Sequence, residues 1–152
     1  MQGAALHPVT GQFWAHEHGP QGGDEVNLIQ PGRNYGWPSV SFGEEYGGGK
    51  IGSGTAAPGM VPPKWIWVSS IAPSGMTFYQ GTLFKAWQGD LLVGALRGQA
   101  LLRLKMEGDK IVSQERLLTE LGARIRTVKE GPDGAIYLLT DAPDGRLLKL
   151  MP

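Results

Sequence analysis

The sequence predicts an all-β fold, and three observations carry that expectation. Glycine and proline make up 35 of the 152 residues (24 Gly and 11 Pro), yet 41% of residues are hydrophobic. That mixture stops just short of a disordered composition and suits many short strands joined by tight turns. Short aliphatic and aromatic runs, each bounded by Gly, Pro, Asp or Asn, recur along the whole chain. One pattern also occurs three times, over 11–29, 89–106 and 134–151: glycine, apolar strand, polar turn with glycine, aliphatic strand. Recurring antiparallel pairs with glycine-marked turns are the signature of a radial repeat architecture.

Taken in order, the strand-like runs are QFWAHE (12–17), DEVNLI (24–29), GMTFYQG (75–81), GDLLVGAL (89–96), QALLRLKM (99–106), KIVSQERLL (110–118), IRTVKEG (125–131), GAIYLLTD (134–141) and GRLLKLM (145–151). Helical periodicity is scarce. The best candidate, SQERLLTELGARI (113–125), places leucines at 117, 118 and 121 before Gly122. The repeats are 78 and then 45 residues apart because a glycine-rich insert (42–70) follows the first. Its stretch at about 42–64 reads as a long polar loop, and long loops in compact domains are usually functional or disordered. Trp65 and Trp67, at its far end, read as anchors to the domain rather than stacking platforms.

The whole chain, 1–152, reads as one domain, since a chain of this length buries roughly 70% of its unfolded surface. Fourteen basic and fourteen acidic side chains cancel, so no electrostatic footprint for nucleic acid or an anionic membrane is present. Cysteine is absent, which removes disulfides, thiol chemistry and cysteine-ligated zinc. The opening residues MQGAALHP lack a signal-peptide pattern, and no apolar stretch approaches the roughly 20 residues of a membrane span. No Gly-rich phosphate loop opens a helix and no Gly-x-Ser-x-Gly elbow occurs, so nucleotide binding and serine hydrolysis have no support.

Two clusters carry candidate chemistry. HEHGPQGGDEVNLI (16–29) packs two histidines and three carboxylates around Gly-Pro and Gly-Gly. His16 and His18 alternate onto one strand face and could share a zinc ion, but no third ligand has suitable spacing. Without further information a Gly-Pro turn with solvated carboxylates is the simpler reading. Gly22 and Gly23 suit a backbone that turns beside a ligand. In ARIRT, Arg124 and Arg126 are two apart, so a strand would aim both guanidiniums at one face as a carboxylate fork. The common alternative is an edge strand protected by charge. Arg97 sits in the turn GALRGQ, with Gln99 beside it. NYGWP (34–38) reads as a turn with Tyr35 and Trp37 packed beneath it.

EHGPQGGDEVNLIQPGRNYGWPSVSFGEEY, SIAPSGMTFYQG, GDLLVGALRGQALLRL and RIRTVKEGPDGAIYLLTD, in this order, resemble the C-terminal half of the soluble PQQ-dependent aldose sugar dehydrogenases of the glucose/sorbosone dehydrogenase family. The resemblance implies a β-propeller, with this chain forming about three four-stranded antiparallel blades of a six-bladed fold. It implies oxidation of aldose sugars to lactones with PQQ and calcium, in a periplasmic or secreted location. Site residues follow from it: His18, Asp24, Arg97, Arg124 and Arg126 around PQQ, and the carbonyls of Gly19 and Pro20 on the calcium that bridges protein and quinone. Glu25 and the Tyr35 carbonyl match ligands of a second, structural calcium. Arg97 stands where relatives often carry lysine. The family's catalytic histidine falls in the N-terminal half, outside this chain, so no catalytic residue is assigned here. Two other outcomes follow for a partial propeller with open edges: a non-catalytic module whose copies pair to close a ring or that awaits an N-terminal half, and a scaffold for protein contacts without cofactor.

Overall fold

The computed structural model describes all 152 residues and contains eleven strands in three antiparallel sheets. The first sheet comprises β1 (Gly3–Leu6), β2 (Phe13–Glu17), β3 (Asp24–Ile29) and β4 (Trp65–Trp67). The second comprises β5 (Pro73–Phe78), β6 (Leu91–Ala95), β7 (Ala100–Glu107) and β8 (Lys110–Leu117). The third has three strands, β9 (Ile125–Glu130), β10 (Ile136–Thr140) and β11 (Leu147–Leu150), not the four expected. Each sheet is a meander with strands paired in sequence order. The first strands of successive sheets, β1, β5 and β9, lie side by side, which is how consecutive propeller blades pack. The three sequence repeats correspond to the second and third strands of each sheet.

Alternation along the strands builds the cores. Leu91, Val93 and Ala95 of β6 face the first sheet and meet Trp14, Val26, Leu28 and Trp67, while Leu92 faces the third sheet with Tyr79, Leu101, Ile125 and Ile136. The middle sheet is therefore buried on both faces, and β6 reads as a continuous apolar run. Close approach has a sequence cause at Gly75, where a Cβ would meet the Val128 nitrogen at 2.6 Å and the Thr127 Cα at 2.8 Å. Trp65 and Trp67 form β4 and join the first core, as their anchoring role required.

Three expectations are corrected. The segment 113–125 is not a helix: Ser113–Leu117 belong to β8, Leu117 pairs with Leu101, and Leu118 at φ +59° breaks the chain before a single 3-10 turn at Thr119–Leu121. Trp37 does not pack beneath its turn but is 59% exposed. The stretch at about 42–64 contains no regular strand, yet it is folded: Ile51 is buried, and bridges join Glu44 to Gln21 and Lys50 and Asn34 to Met60.

Candidate functional site

Meander topology brings the turns between the second and third strands of all three sheets (18–23, 96–99 and 141–146) to one end, along with the starts of β5 and β9. His18, Gly19, Pro20, Arg97, Arg124 and Arg126 all lie at this end. All three turns are the polar, glycine-containing stretches that the repeat pattern singled out.

Asp24 organises the end rather than facing outward. It was expected to touch a cofactor; instead it is fully buried and accepts four hydrogen bonds. Its Oδ1 takes the Gly19 N–H at 3.0 Å, and its Oδ2 takes the Ser70 hydroxyl at 2.7 Å and the N–H groups of Ile71 and Ala72 at 2.8 and 2.9 Å. With no exposed surface and both oxygens accepting from the protein, the carboxylate holds the 18–20 turn against the 70–72 segment. That segment in turn fixes the neighbouring turn, because Ala72 O accepts Leu96 N–H and Ile71 O accepts Gly98 N–H at 3.0 and 2.9 Å. Arg97 between them is exposed and makes no ion pair.

The start of β5 carries the next link. Its pairing with β6 slips between Pro73 and Met76, a bulge at Ser74 and Gly75. Bulges re-aim groups near functional sites. Here His18 donates Nε2–H to Pro73 O at 2.7 Å and His16 donates Nε2–H to Ser74 O at 2.6 Å. The Ser74 hydroxyl donates to Ile125 O, between the two arginines, at 2.6 Å. These bonds occupy a nitrogen of each histidine, and no cluster of three or more His, Cys, Asp or Glu side chains is placed to hold a metal, so the zinc reading is overturned. His16 is buried, and loss of solvation pushes its imidazole down to about 4 despite the Ser74 bond.

Arg124 and Arg126 do converge, with a partner that sequence reasoning missed. Asp141 Oδ2 accepts Arg124 Nε–H at 2.8 Å and Nη2–H at 2.7 Å, and Arg126 Nη2 approaches the same oxygen at 3.2 Å. The pairing of β9 with β10 slips between Leu139 and Thr140, leaving Arg126 as the extra residue. Thus a bulge, more than simple alternation, turns the second guanidinium toward the first. An acidic residue directly after the GAIYLLT strand, where the third repeat turns, was the available signal.

Oxygen donors suited to a hard cation occur in two places. The carbonyls of Gly19 and Pro20 accept no hydrogen bond from the protein. A cavity of about 180 Å³ beside them is lined by Glu17, His18, Gly19, Glu25 and the exposed Trp37 among others. Gly22 and Gly23 shape this turn at φ +79° and +72°, and a Cβ at either would strike the Val68 carbonyl or the backbone of Phe42 and Gly43. Glu25 and Tyr35 share a second, largely apolar cavity of about 100 Å³. Burial, aided by the facing Glu17, pushes the Glu25 carboxyl up to about 7. The Tyr35 carbonyl accepts no backbone hydrogen bond, and its hydroxyl donates to Leu28 O at 2.8 Å.

Fold and site together define a segment of a β-propeller whose one end gathers arginines, a histidine and free carbonyls. The family model described as Glucose / Sorbosone dehydrogenase matches residues 1–149. The aldose sugar dehydrogenase YliI of Escherichia coli is 44% identical over 99% of this chain, which spans 41% of that protein. A crystal structure of a glucose dehydrogenase superposes with a TM-score of 0.97 at 52% identity, covering 99% of this chain and 44% of the other. The PQQ-bound form of an aldose sugar dehydrogenase from Streptomyces coelicolor superposes with a TM-score of 0.73 at 31% identity, covering 99% and 42%. The chain belongs to the glucose/sorbosone dehydrogenase family, and it spans less than half the length of these relatives. No helix is long and apolar enough to cross a membrane.

Proposed function

We propose that this chain supplies the cofactor-binding face of a PQQ- and calcium-dependent dehydrogenase that oxidises aldose sugars to lactones, acting in the periplasm or outside the cell. The observation that carries the reading is the convergence of His18, Arg97, Arg124 and Arg126 with the free carbonyls of Gly19 and Pro20 at one end of three linked sheets. When bound, the quinone supplies the two-electron acceptor for sugar oxidation, so the protein's work is binding and orientation. Arg124 and Arg126 bind carboxylates as a fork, Arg97 adds a third positive charge, and His18 is held by Pro73 with its second ring nitrogen free. Gly19 and Pro20 offer carbonyls to one calcium, and Glu25 with the Tyr35 carbonyl offers oxygens to a second. Asp24 keeps this set in register without touching the ligand. The proton acceptor for the sugar hydroxyl is assigned to the part of the relatives' length that lies outside this chain.

The test is calorimetric titration of the purified chain with PQQ, with and without calcium, alongside dye reduction with glucose and other aldoses. PQQ binding that requires calcium, without sugar turnover, is the expected result. Absence of binding at any calcium concentration sinks the reading and leaves a cofactor-free scaffold. In the same preparation calcium raises the thermal midpoint of the wild type, and Glu25→Gln loses the part of that rise due to the second ion.

A second reading, self-association, has its own support. The outer faces of the two end sheets expose apolar side chains: Leu6 is 65% exposed on the first, and Leu147, paired with the exposed Leu139, is 67% exposed on the third. Two copies covering these faces would double the 16.3 kDa mass in solution, and a stable monomer argues against the pairing.

A further inference from the structure

We propose that Asp141 is a positioning residue that clamps Arg124 and Arg126 into a single carboxylate-binding fork. The inference rests on the cofactor reading above for its ligand, but its geometry stands on this chain alone. Two guanidiniums close enough to bind one carboxylate repel each other, and long exposed arginine side chains lose much rotational freedom when ordered. Asp141 offsets both effects. One of its oxygens takes two N–H groups of Arg124 and lies 3.2 Å from Arg126 Nη2. Its own backbone is fixed as well, because Asp141 N–H donates to Arg124 O at 2.8 Å. The carboxylate is therefore set in place by Arg124 at the threshold of β9, and the bulge at Arg126 brings the second guanidinium to it. The fork is not exhausted by this contact, since each guanidinium carries five N–H donors. Arg124 keeps Nη1, and Arg126 keeps Nε and Nη1, for an incoming carboxylate. Arg124 and Asp141 line a cavity of about 350 Å³ together with Gln99, Asp144 and Arg146, so a ligand has room to reach the Arg124 side of the clamp. Hydrogen bonds from Arg124 first, then Arg126, hold the Asp141 carboxyl below the usual carboxylate range, which keeps it charged at neutral pH.

The sign of the effect makes the proposal testable. Removing a negative charge beside an anion site should tighten anion binding if Asp141 acts only through its charge. If it acts by clamping, binding weakens instead. Asp141→Asn is compared with Asp144→Asn, which removes the same charge from the same cavity without touching the arginines. The expected result is PQQ affinity reduced about tenfold or more in Asp141→Asn, the scale at which supporting partners of a binding residue act, and unchanged or improved in Asp144→Asn, with both variants melting like the wild type. Equal or tighter binding in Asp141→Asn overturns the proposal. A second measurement needs neither variant nor cofactor: dicarbonyl labelling of wild-type arginines, read by peptide mass spectrometry. Arg124 and Arg126 should label more slowly than the unpaired Arg97, and equal rates overturn the clamp. Failure of the wild type to bind PQQ would overturn the cofactor reading, while the labelling still decides the clamp.

Discussion

Asp24→Asn lowers the thermal midpoint by roughly 10 °C, the equivalent of about 3 kcal/mol for a chain of this size, and weakens PQQ binding as well. The substitution keeps shape and volume, so the effect isolates hydrogen bonding. Asp24 has no exposed surface, and both its oxygens accept: one from Gly19, the other from Ser70, Ile71 and Ala72. Asparagine leaves one accepting oxygen and turns an NH2 group toward backbone N–H groups that cannot accept from it. At least one buried N–H then loses its partner, and a buried unsatisfied group costs far more than an average hydrogen bond gains. The damage also propagates. The 70–72 segment holds the Arg97 turn through Leu96 and Gly98, and Pro73 next to it holds His18. Loss of the midpoint shift would mean that water or a rotated side chain satisfies these donors. A shift without loss of PQQ affinity would mean that Asp24 supports the fold but not the site. Thermal unfolding by circular dichroism and calorimetric titration separate the two.

That residue also shows what a sequence can and cannot carry. HEHGPQGGDEV announces a polar turn between strands, and the structure agrees. Whether its aspartate faces a ligand or the interior depends on which segment packs over it, and residues 70–72 are more than forty positions away. The second and third strands of each sheet were legible because each pair is a local hairpin with glycine at its turn. β1 and β4 were not, since GAAL carries no β-branched or aromatic residue and WIW is three residues long; both are strands only because β2 and β3 offer them partners. The candidate helix at 113–125 failed for a related reason: its leucines satisfy a helical period, but Leu117 is claimed by a strand partner and Leu118 adopts a left-handed backbone. The arginine pair was legible by spacing. Asp141 was legible only as an acidic residue at the turn after its strand, because its reach to both arginines depends on a register slip between β9 and β10.

Acidification from pH 6.5 to pH 4 removes about 3 kcal/mol of stability through His16 alone. Its imidazole, ordinarily near 6.5, is held at about 4 in the folded chain, chiefly because burial strips solvent from the charged form. The folded value is depressed, so below pH 6.5 the unfolded chain takes up a proton that the folded chain refuses. Stability therefore falls with pH across that window and levels off once the folded imidazole also protonates. Glu25 acts with the opposite sign. Burial raises its carboxyl from 4.5 to about 7, so its contribution is present at low pH and is lost as pH rises through that range. The two partly cancel between pH 4.5 and 6.5, and the wild-type curve alone understates both. The difference between wild type and His16→Gln isolates the histidine, because glutamine keeps an N–H donor for Ser74 O but does not titrate. Urea unfolding of both proteins at pH 7 and pH 4.5 reads the difference directly. His16→Gln is less stable at pH 7, where the native ring fits its site, and loses less on acidification. Equal losses in the two proteins would show that the buried imidazole finds solvent or a counter-charge when it protonates, and that the contact between β2 and the bulge at Ser74 loosens without unfolding.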